Sequence, residues 1–450
     1  MSNPIARSCR RRNSSYKAGR LDVRRRRSSN LQIAFTTVFN VAMSDRFQTS
    51  QHVEFLSLDR SHFLFNEETQ ELYALNPVAA YIWSCLDDGL DLSETAELVS
   101  GDLEISGSDA DTHVRQMVRQ WAERRMLLKD GMASADTPEL IRPDPQIRLI
   151  GEPYERPPDL HFHATRNFQL LAQSLDVRFV SAEAEGRVME TLCHLHRTVG
   201  EEPTAIIDVI EERSGFFIVI GSTCLEECQS LDEVAPALKA VMTTLTVASE
   251  PYALAFHAAA VSNGVGCLLL PARSGSGKST LTAALLHSGF HYLSDDVVFL
   301  DQPSHRVRGC PFPIGIKESG VAALTSRYPE LDRRSVHLRA DDARVRYLIP
   351  PSATWTLEAA NETHETKWIV FPQYNPDRET SLTPIDGGEA LTRLLPLSVA
   401  GRFLKKENVS ALANWINELE CYELSVASLS SAIGALQSLD QISPDPPGRM

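Results

Sequence analysis

The sequence predicts a mixed α/β domain that is preceded by a small α+β domain. Residues 268–301 show the pattern of a buried strand, a glycine-containing loop, a helix and a second strand that ends in two acids. From about residue 161 onward, strand-like and helix-like segments alternate, for example "FFIVIGS" and then "LDEVAPALKAVMTTLTVAS". Residues 52–130 show strands that are followed by three helices, which predicts a separate domain.

The composition is that of a globular protein. At 450 residues the chain is long enough for two or three domains, and 43% hydrophobic and 23% charged residues are ordinary values. The net charge of −15 argues against nucleic acid as the main partner, because phosphate backbones need a basic face. No apolar run approaches the roughly 20 residues of a membrane span, so no membrane partner and a cytoplasmic location are expected.

The eight cysteines are scattered through apolar or helical contexts, which predicts reduced, buried thiols. A metal site is the alternative, since Cys224 and Cys228 are four residues apart and Cys193 precedes His194 and His196. No second pair has the spacing of a zinc finger, so buried thiols are the preferred interpretation.

The first 43 residues form a strongly basic head. They contain nine Arg and one Lys against one acid, Asp22, a net charge of +9 that leaves −24 for the remainder. A targeting presequence has this Arg-rich and Ser-rich character, whereas a signal peptide fits less well because polar residues interrupt its apolar part. The preferred prediction for residues 1–43 is a disordered tail, or a segment upstream of a true start at Met43. Residues 131–160 contain six prolines and little periodicity, which predicts a linker.

Residues 52–130 contain the signals of a hairpin and three helices. In "HFLFNEETQELYALN" short apolar runs flank the polar Asn66–Gln70, which predicts two antiparallel strands. The helix starts are marked by capping signals at Asn76-Pro77, at Asp91 with Glu94, and at Ser108.

The stretch "LYALNPVAAYIWSCLDDGLDLSETAELV" resembles the PqqD family on the pattern aromatic-x-Leu-Asn-x-x-small-x-x-Ile-Trp. Members are small winged-helix-like modules that bind leader segments of ribosomally made, modified peptides. The resemblance implies that a peptide partner is captured by strand addition at the hairpin edge, beside the third helix.

A winged-helix module can also bind DNA, but residues 51–130 carry sixteen acids and six bases, a charge of −10 with the wrong sign for a duplex. Five of the six bases fall on or just after the third helix, where they can meet an acidic peptide or form a solvated face. They are Arg115, Arg119, Arg124, Arg125 and Lys129.

The segment "GCLLLPARSGSGKST" carries a phosphate-binding loop of the Walker A type. Its backbone N–H groups would form a concave anion site, and its glycines would let the backbone approach phosphate closely. Lys278 is predicted to reach the β- and γ-phosphates, and Ser279 to offer its hydroxyl to Mg²⁺. The predicted cofactors are therefore ATP and Mg²⁺. The predicted cofactor-binding residues are Ser274, Gly275, Ser276, Gly277, Lys278, Ser279 and Thr280.

The first glycine of the motif is replaced by Ala272. This position ends the strand, where a positive φ is not compulsory. The five residues before Lys278 form most of the anion site and are all present. The replacement therefore weakens the match to the motif without breaking it.

Asp295 and Asp296 follow the loop after one helix and one strand. The helix from Ser279 to about Ser288, ended by Gly289, is roughly 15 Å long and runs away from the phosphates. The strand "FHYLSDD" can return the chain to the level of the loop. Alternation points the two acids in opposite directions, so one can hold Mg²⁺ while the other accepts a proton from a hydroxyl. A surface acid pair is the alternative interpretation.

The pattern "FHAAAV…LLLPARSGSGKSTL…GFHYLSDDVVFLD" resembles the HPr kinase/phosphorylase family, and most of all its HPr-kinase-related branch, whose members occur with PqqD-type modules. The resemblance implies an α/β P-loop kinase domain of the HPr kinase type over residues 161–440. It places His257 close to the phosphate and metal site, and makes one Asp of the pair the general base. The implied catalytic residues are Asp296 as the favoured base, Asp295, Lys278 and His257; the implied metal ligands are Ser279 and Asp295.

This chain departs from authentic HPr kinases at two positions, since Thr280 replaces a Glu and Ala258 replaces a Gly. These differences argue against HPr as the acceptor and against the reverse, phosphorolytic reaction. Lys317 can match a Lys of the related branch that suits phosphate or acceptor binding, or can be a surface lysine. HPr kinases assemble as hexamers, so the resemblance makes a homo-oligomer possible.

The residues and the two resemblances together predict a serine/threonine kinase. It would use ATP and Mg²⁺ to phosphorylate a hydroxyl of a ribosomally made peptide or small protein whose leader the N-terminal module captures. The alternative is a peptide-binding chaperone or scaffold that nucleotide switches without phosphate transfer. A mere switch needs a metal-holding acid but no base, so the Asp pair favours the kinase.

Overall fold

The computed structural model describes residues 46–129, 151–198, 202–249, 252–301, 304–356, 361–399 and 404–441. The basic head 1–43 and residues 131–150 of the predicted linker lie outside these ranges.

The N-terminal domain contains five strands and three helices. These are β1 (Phe47–Thr49), β2 (Val53–Leu58), β3 (Ser61–Asn66), β4 (Glu71–Leu75), α1 (Pro77–Asp87), α2 (Leu92–Asp102), α3 (Gly107–Glu123) and β5 (Leu127–Lys129). β2, β3 and β4 form an antiparallel sheet in that order, and β1 pairs with β5. The predicted hairpin is β3–β4, and Asn76 and Asp91 cap α1 and α2 as predicted. α3 begins at Gly107, one residue before the predicted Ser108, and Ser106 is its cap.

The middle part of the chain is a sheet of seven strands with two helices. Its elements are β6 (Glu152–Pro153), β7 (Ala164–Leu170), β8 (Gln173–Phe179), α4 (Ala182–Leu192), β9 (His196–Arg197), β10 (Ala205–Glu212), β11 (Gly215–Ile220), β12 (Thr223–Cys228) and α5 (Leu231–Ser249). The strand order is β6-β12-β11-β10-β8-β7-β9. β6 lies within the predicted linker and yet pairs with β12. Apolar side chains of α4 and α5 form the core with those of the sheet.

The C-terminal part builds the sheet that carries the phosphate-binding loop. Its elements are β13 (Leu254–Ser262), β14 (Cys267–Pro271), α6 (Lys278–His287), β15 (His291–Ser294), β16 (Val297–Leu300), β17 (Val307–Gly309), β18 (Ile314–Lys317), α7 (Glu318–Leu324), β19 (His337–Leu338), β20 (Arg344–Leu348), β21 (Thr366–Tyr374), β22 (Ser381–Pro384), α8 (Gly387–Leu394), α9 (Lys406–Asn417), β23 (Glu420–Val426) and α10 (Leu429–Gln437). The main sheet has the order β17-β16-β13-β14-β21-β23-β22, and β18, β20 and β19 form a separate small sheet.

Three neighbouring strands of the main sheet, β14, β21 and β23, run parallel to one another. Their carboxyl ends therefore meet at one edge of the sheet, where ligands of open α/β sheets bind. One face of this sheet packs on α6 and α10, and the opposite face packs on α8 and α9. The result is a three-layer arrangement with the loop between β14 and α6 at the ligand edge.

The two acids lie at an interruption of a long strand. β15 and β16 both pair with β13, with Ser294 opposite Ala260 and Val297 opposite His257. Residues 294 to 297 therefore keep one register along β13, and Asp295 and Asp296 are the two residues between the paired segments. The predicted strand return is present, although the acids themselves lie in a bend.

The N-terminal domain shares a hydrophobic core with the C-terminal sheet. Four side chains of β2 and β3 are buried against α8 and α9, namely Leu56, Leu58, Phe63 and Phe65. The Gln70 side chain donates to the Leu404 carbonyl and accepts from the Leu404 N–H, each at 2.9 Å. A Cβ at Gly388 would lie 2.3 Å from Ser61 Cβ, so glycine is required where α8 meets β3. The two domains are therefore packed together without an intervening gap at this contact.

Candidate functional site

The loop between β14 and α6 has the backbone conformation of an anion-binding site. Gly275 (φ 91°) and Gly277 (φ 88°) lie in the left-handed region that favours glycine, and Gly277 is the N-cap of α6. The N–H groups of the first turn of α6 are thereby directed to the loop, where a phosphate would meet the positive end of the helix dipole. Ala272 does not adopt a positive φ, so the first motif glycine is not needed for this backbone.

The loop forms one wall of a cavity of about 250 Å³. The loop supplies part of the lining, and β18, α7, β21 and β23 supply much of the rest. The lining residues are His257, Arg273–Leu281, Asp296, Gly315, Lys317, Ser319, Gly320, Ala323, Arg339, Pro372, Tyr374, Val426 and Leu429. Every residue predicted to bind the cofactor lines this cavity, and so do His257 and Asp296. Asp295, the remaining predicted site residue, is not part of the lining.

Lys278, His257 and Asp296 form a connected chain of polar groups. The Lys278 ammonium, 5% exposed, lies 3.4 Å from His257 Nε2, and His257 Nδ1 lies 3.1 Å from the Asp296 carbonyl oxygen. Since a carbonyl can only accept, Nδ1 carries the hydrogen and Nε2 accepts from Lys278. Burial, and then the charge of Lys278, lower the pKa of His257 to about 4, so the imidazole is neutral at neutral pH.

The Asp296 carboxylate is paired with Lys239, a residue of α5. The Asp296 side chain is 28% exposed and borders the cavity, whereas Lys239 is 9% exposed. Burial by itself would raise the pKa of Asp296, but the ammonium groups of Lys239 and Lys278 hold it well below its usual range. Asp296 is therefore an ionised acceptor that faces the space in front of the loop.

The Asp295 carboxylate is fully buried behind this cavity. Asp295 is 1% exposed, and neither of its carboxylate oxygens has a hydrogen-bond partner within the described ranges. Burial, and then the charge of Asp296, raise its pKa to about 6, while Lys278 and the Ser279 hydroxyl oppose that rise. Lys278 and Ser279 offset the cost of burying this carboxylate only in part, since its pKa stays raised, so a bound cation or a proton would stabilise it further.

Asp295 and Ser279 fit a magnesium ion better than a metal held by protein alone. Both offer oxygen donors, and Mg²⁺ is usually held by one or two protein oxygens together with phosphates and waters. Within the part of the chain that the structure describes, no group of three or more His, Cys, Asp or Glu could hold a metal ion. An ion at Asp295 would therefore need the oxygens of a bound phosphate.

The alternative metal site at the cysteines is not present in the described residues. Cys193, Cys224 and Cys228 are free thiols, and Cys193 is exposed, contrary to the predicted burial of the thiols. His194 uses Nε2 on the Pro311 carbonyl at 3.0 Å and packs edge-on against Trp355. Within the described ranges these groups do not converge on a metal site.

The residues missed in the prediction from sequence include Lys239, which pairs with Asp296, and the cavity residues Arg339 and Tyr374. Lys239 carried a recognisable signal, because it is a lysine within an otherwise apolar helix face that includes Leu238 and Met242. Arg339 follows the short strand β19, and Tyr374 ends β21, so only tertiary structure brings them to the loop. Lys317, which was noted, donates to Ser274 Oγ at 3.0 Å.

The fold and the site define a protein with a small α+β N-terminal domain and an α/β domain that carries a phosphate-binding loop. The model of the family described as coenzyme PQQ synthesis protein D (PqqD) matches residues 61–127. This match confirms the resemblance of the N-terminal segment to PqqD, and the observed architecture confirms the predicted order of a small α+β domain and an α/β domain.

Three solved structures are similar to parts of the chain. TbiB1 in complex with the TbiA(beta) leader peptide is 22% identical, covering 19% of this chain and 99% of that one, with a TM-score of 0.18. A lasso peptide synthetase B1 complexed with the leader peptide is 24% identical, covering 18% and 98%, with a TM-score of 0.18. The Hpr(Ser) kinase/phosphatase from Coxiella burnetii is 14% identical, covering 42% and 96%, with a TM-score of 0.22. Similarities at these TM-scores establish neither a shared fold nor a shared activity.

No curated protein matches the chain. Among the described helices, none combines the length and the apolar character that a membrane span requires.

Proposed function

We propose that the protein is an ATP- and Mg²⁺-dependent kinase that phosphorylates a Ser or Thr hydroxyl of a ribosomally made peptide or small protein. One observation carries this proposal: an ionised carboxylate, Asp296, faces the same cavity as the phosphate-binding loop and Lys278. The loop accounts for nucleotide binding. The carboxylate adds an acceptor for the proton of an attacking hydroxyl, which nucleotide binding alone does not require.

Each polar side chain then has a role in the transfer. Lys278 would donate to the β- and γ-phosphates with the N–H groups that do not face His257 Nε2, since an ammonium has three donors. The acceptor oxygen forms a bond to the γ-phosphorus while the bond from that phosphorus to the β,γ-bridging oxygen breaks, and ADP leaves. The hydroxyl proton passes to Asp296. Since phosphoryl transfer has a loose transition state, a carboxylate that mainly orients the hydroxyl is sufficient despite its low pKa.

Mg²⁺, when bound with ATP, would neutralise charge on the phosphates. Asp295 and Ser279 would hold it, and the fully buried position of Asp295 keeps that carboxylate free of competing hydrogen bonds. His257 would orient Lys278 through Nε2, and its own orientation is fixed by the Asp296 carbonyl.

Lys239 would keep the Asp296 carboxylate from forming an ion pair with Lys278. Without Lys239, Lys278 would remain as a cation that acts on the Asp296 carboxylate and holds its pKa low. Such a pair would occupy the lysine that must bind phosphate. By pairing with Asp296 itself, Lys239 leaves Lys278 available to the nucleotide.

The direct test of this function is transfer to a peptide. The chain would be co-expressed with the product of each short peptide gene found beside its own gene, and the peptide would be examined by mass spectrometry. The proposal requires a mass increase of one phosphoryl group on a Ser or Thr, lost on treatment with a phosphatase. An unmodified peptide, together with no transfer in vitro from radiolabelled ATP, would refute it.

The N-terminal domain is proposed to capture the leader of the acceptor peptide at β4. β4 ends the three-stranded sheet, so its outer edge is open to strand addition in the described structure. Arg124, just after α3, lies over the Tyr73 ring of β4 at 4.9 Å and places a positive charge beside this edge. The PqqD-family match covers both elements.

Arg124→Glu is expected to raise KM for a leader-bearing peptide about tenfold, because a charge reversal at such an edge changes binding by about 1.4 kcal/mol. The kcat and the KM of a leaderless acceptor peptide should be unchanged. Steady-state kinetics with both peptides would measure this. Arg60→Glu, the same change in the turn between β2 and β3, is the control, and an equal effect of the two variants would contradict capture at β4.

A further inference from the structure

The strand order defines the direction in which a nucleotide lies in the cavity. Asp295 and Asp296 belong to the β15–β16 segment, which is two strands from β14 in one direction. β21 and β23 are one and two strands from β14 in the other direction, and they end at the same edge. Because the terminal phosphate must face Asp296, the nucleoside must extend over the ends of β21 and β23, within roughly 10 Å of the loop strand.

The surface at that end of the cavity is apolar and contains an exposed aromatic ring. Tyr374, the last residue of β21, is 57% exposed and packs beside Gly277, where an added Cβ would lie 3.4 Å from Tyr374 Cβ. Pro372, Val426 and Leu429 line the same cavity next to it. An exposed tyrosine fixed against the phosphate loop is a stacking surface of the size of a nucleobase.

The polar backbone groups at this surface are already engaged. The Tyr374 N–H donates to the Ser276 carbonyl at 3.1 Å, and the Val426 carbonyl accepts from the Asn375 N–H at 2.9 Å. The Ala427 N–H donates to Thr380 Oγ1 at 3.0 Å. The cavity lining that the described residues provide contains no Asn, Gln or Glu, and its carboxylate, Asp296, lies at the phosphate end. At this surface, therefore, the described residues place no amide or carboxylate side chain, and these three backbone groups are occupied.

We propose that this surface, formed by Pro372, Tyr374, Val426 and Leu429, binds the nucleobase by stacking and apolar contact, without reading its edge. The ligand class is purine nucleoside triphosphates, and adenine and guanine are accepted with similar affinity. This inference rests on the proposed nucleotide site and specifies its substrate class. Sites that hydrogen-bond a distinguishing group reject analogues by about 10⁴-fold, whereas apolar pockets discriminate far less.

Equilibrium titrations of the full chain with Mg²⁺ and three probes would test the proposal. The probes are the β,γ-imido analogues of ATP and GTP, and tripolyphosphate, which has no base. The two analogues should bind within about tenfold of each other. Tyr374→Ala should weaken both about 5- to 20-fold, because stacking contributes about 1–2 kcal/mol, and should leave tripolyphosphate unchanged.

Tyr374→Phe keeps the ring and should bind all three probes like the unchanged chain. A GTP analogue that binds more than 100-fold more weakly than the ATP analogue would overturn the proposal, and so would an equal loss of tripolyphosphate binding in Tyr374→Ala. These outcomes are distinct from failure of the kinase function, in which both analogues bind as expected but no phosphate reaches a hydroxyl. If none of the probes binds the unchanged chain, both proposals are wrong.

Discussion

Lys278→Ala is expected to lower kcat/KM for phosphate transfer by about 1,000-fold or more, because it removes the charge that meets the β- and γ-phosphates in a water-poor site. ATP affinity should fall as well, by about 10- to 100-fold, as for the loss of a charge-assisted hydrogen bond. Transfer of radiolabelled phosphate to the acceptor peptide and titration with the β,γ-imido analogue of ATP would measure the two effects separately.

The design of this experiment must account for the burial of Lys278, which is 5% exposed. Lys278→Met retains most of the side-chain volume without the charge. If Lys278→Ala and Lys278→Met lose transfer to the same extent, the loss is due to the missing charge. Lys367→Ala, an exposed lysine on β21 outside the cavity, is the control and should be fully active. Normal transfer by Lys278→Met would refute the kinase assignment of this loop.

Asp296→Asn is expected to retain ATP binding and to lose transfer by about 100- to 10,000-fold, the range for removal of a general base. The amide has nearly the shape of the carboxylate but cannot accept the proton of the hydroxyl. Single-turnover transfer, measured beside the affinity for the ATP analogue, would separate chemistry from binding. An unchanged rate would remove Asp296 as the base.

This substitution also leaves the buried Lys239 without its anionic partner, which lowers stability. The double variant Asp296→Asn/Lys239→Met removes that unpaired charge and should restore the melting temperature without restoring transfer. The same experiment distinguishes the two functional hypotheses. A nucleotide-switched scaffold would show no transfer in the unchanged chain, and its peptide binding would respond to ATP equally in Asp296→Asn.

The parts of the site that were predicted are those encoded by neighbouring residues. The loop, the helix after it and the strand return all depend on local spacing, and the structure brings His257, the loop residues and Asp296 into one cavity. The strand β6 was not predicted among the prolines around it, because only its pairing with β12 identifies it. Ser106 and Ser108 both have the chemistry of a helix cap, and the sequence alone does not decide between them.

The contributions of Lys239, Arg339 and Tyr374 required the tertiary structure. Each comes from an element far from the loop in sequence, and no local pattern shows that their side chains meet there. The buried apolar faces of β2 and β3 are a similar case. The apolar run of β3 predicts one strand of a hairpin, but the burial of its second face is seen only once α8 and α9 are in place.

The shared core of the two domains has a geometric consequence for any peptide substrate. Because Leu56, Leu58, Phe63 and Phe65 are packed into a core with α8, α9 and the C-terminal sheet, that core opposes movement of the N-terminal sheet relative to the phosphate-binding loop. A leader held at β4 would then act as a ruler, so that the hydroxyl to be modified is chosen by the number of residues between leader and acceptor. In such an arrangement, inserting or removing residues in that spacer would change which serine is reached while leaving the sequence around each serine intact.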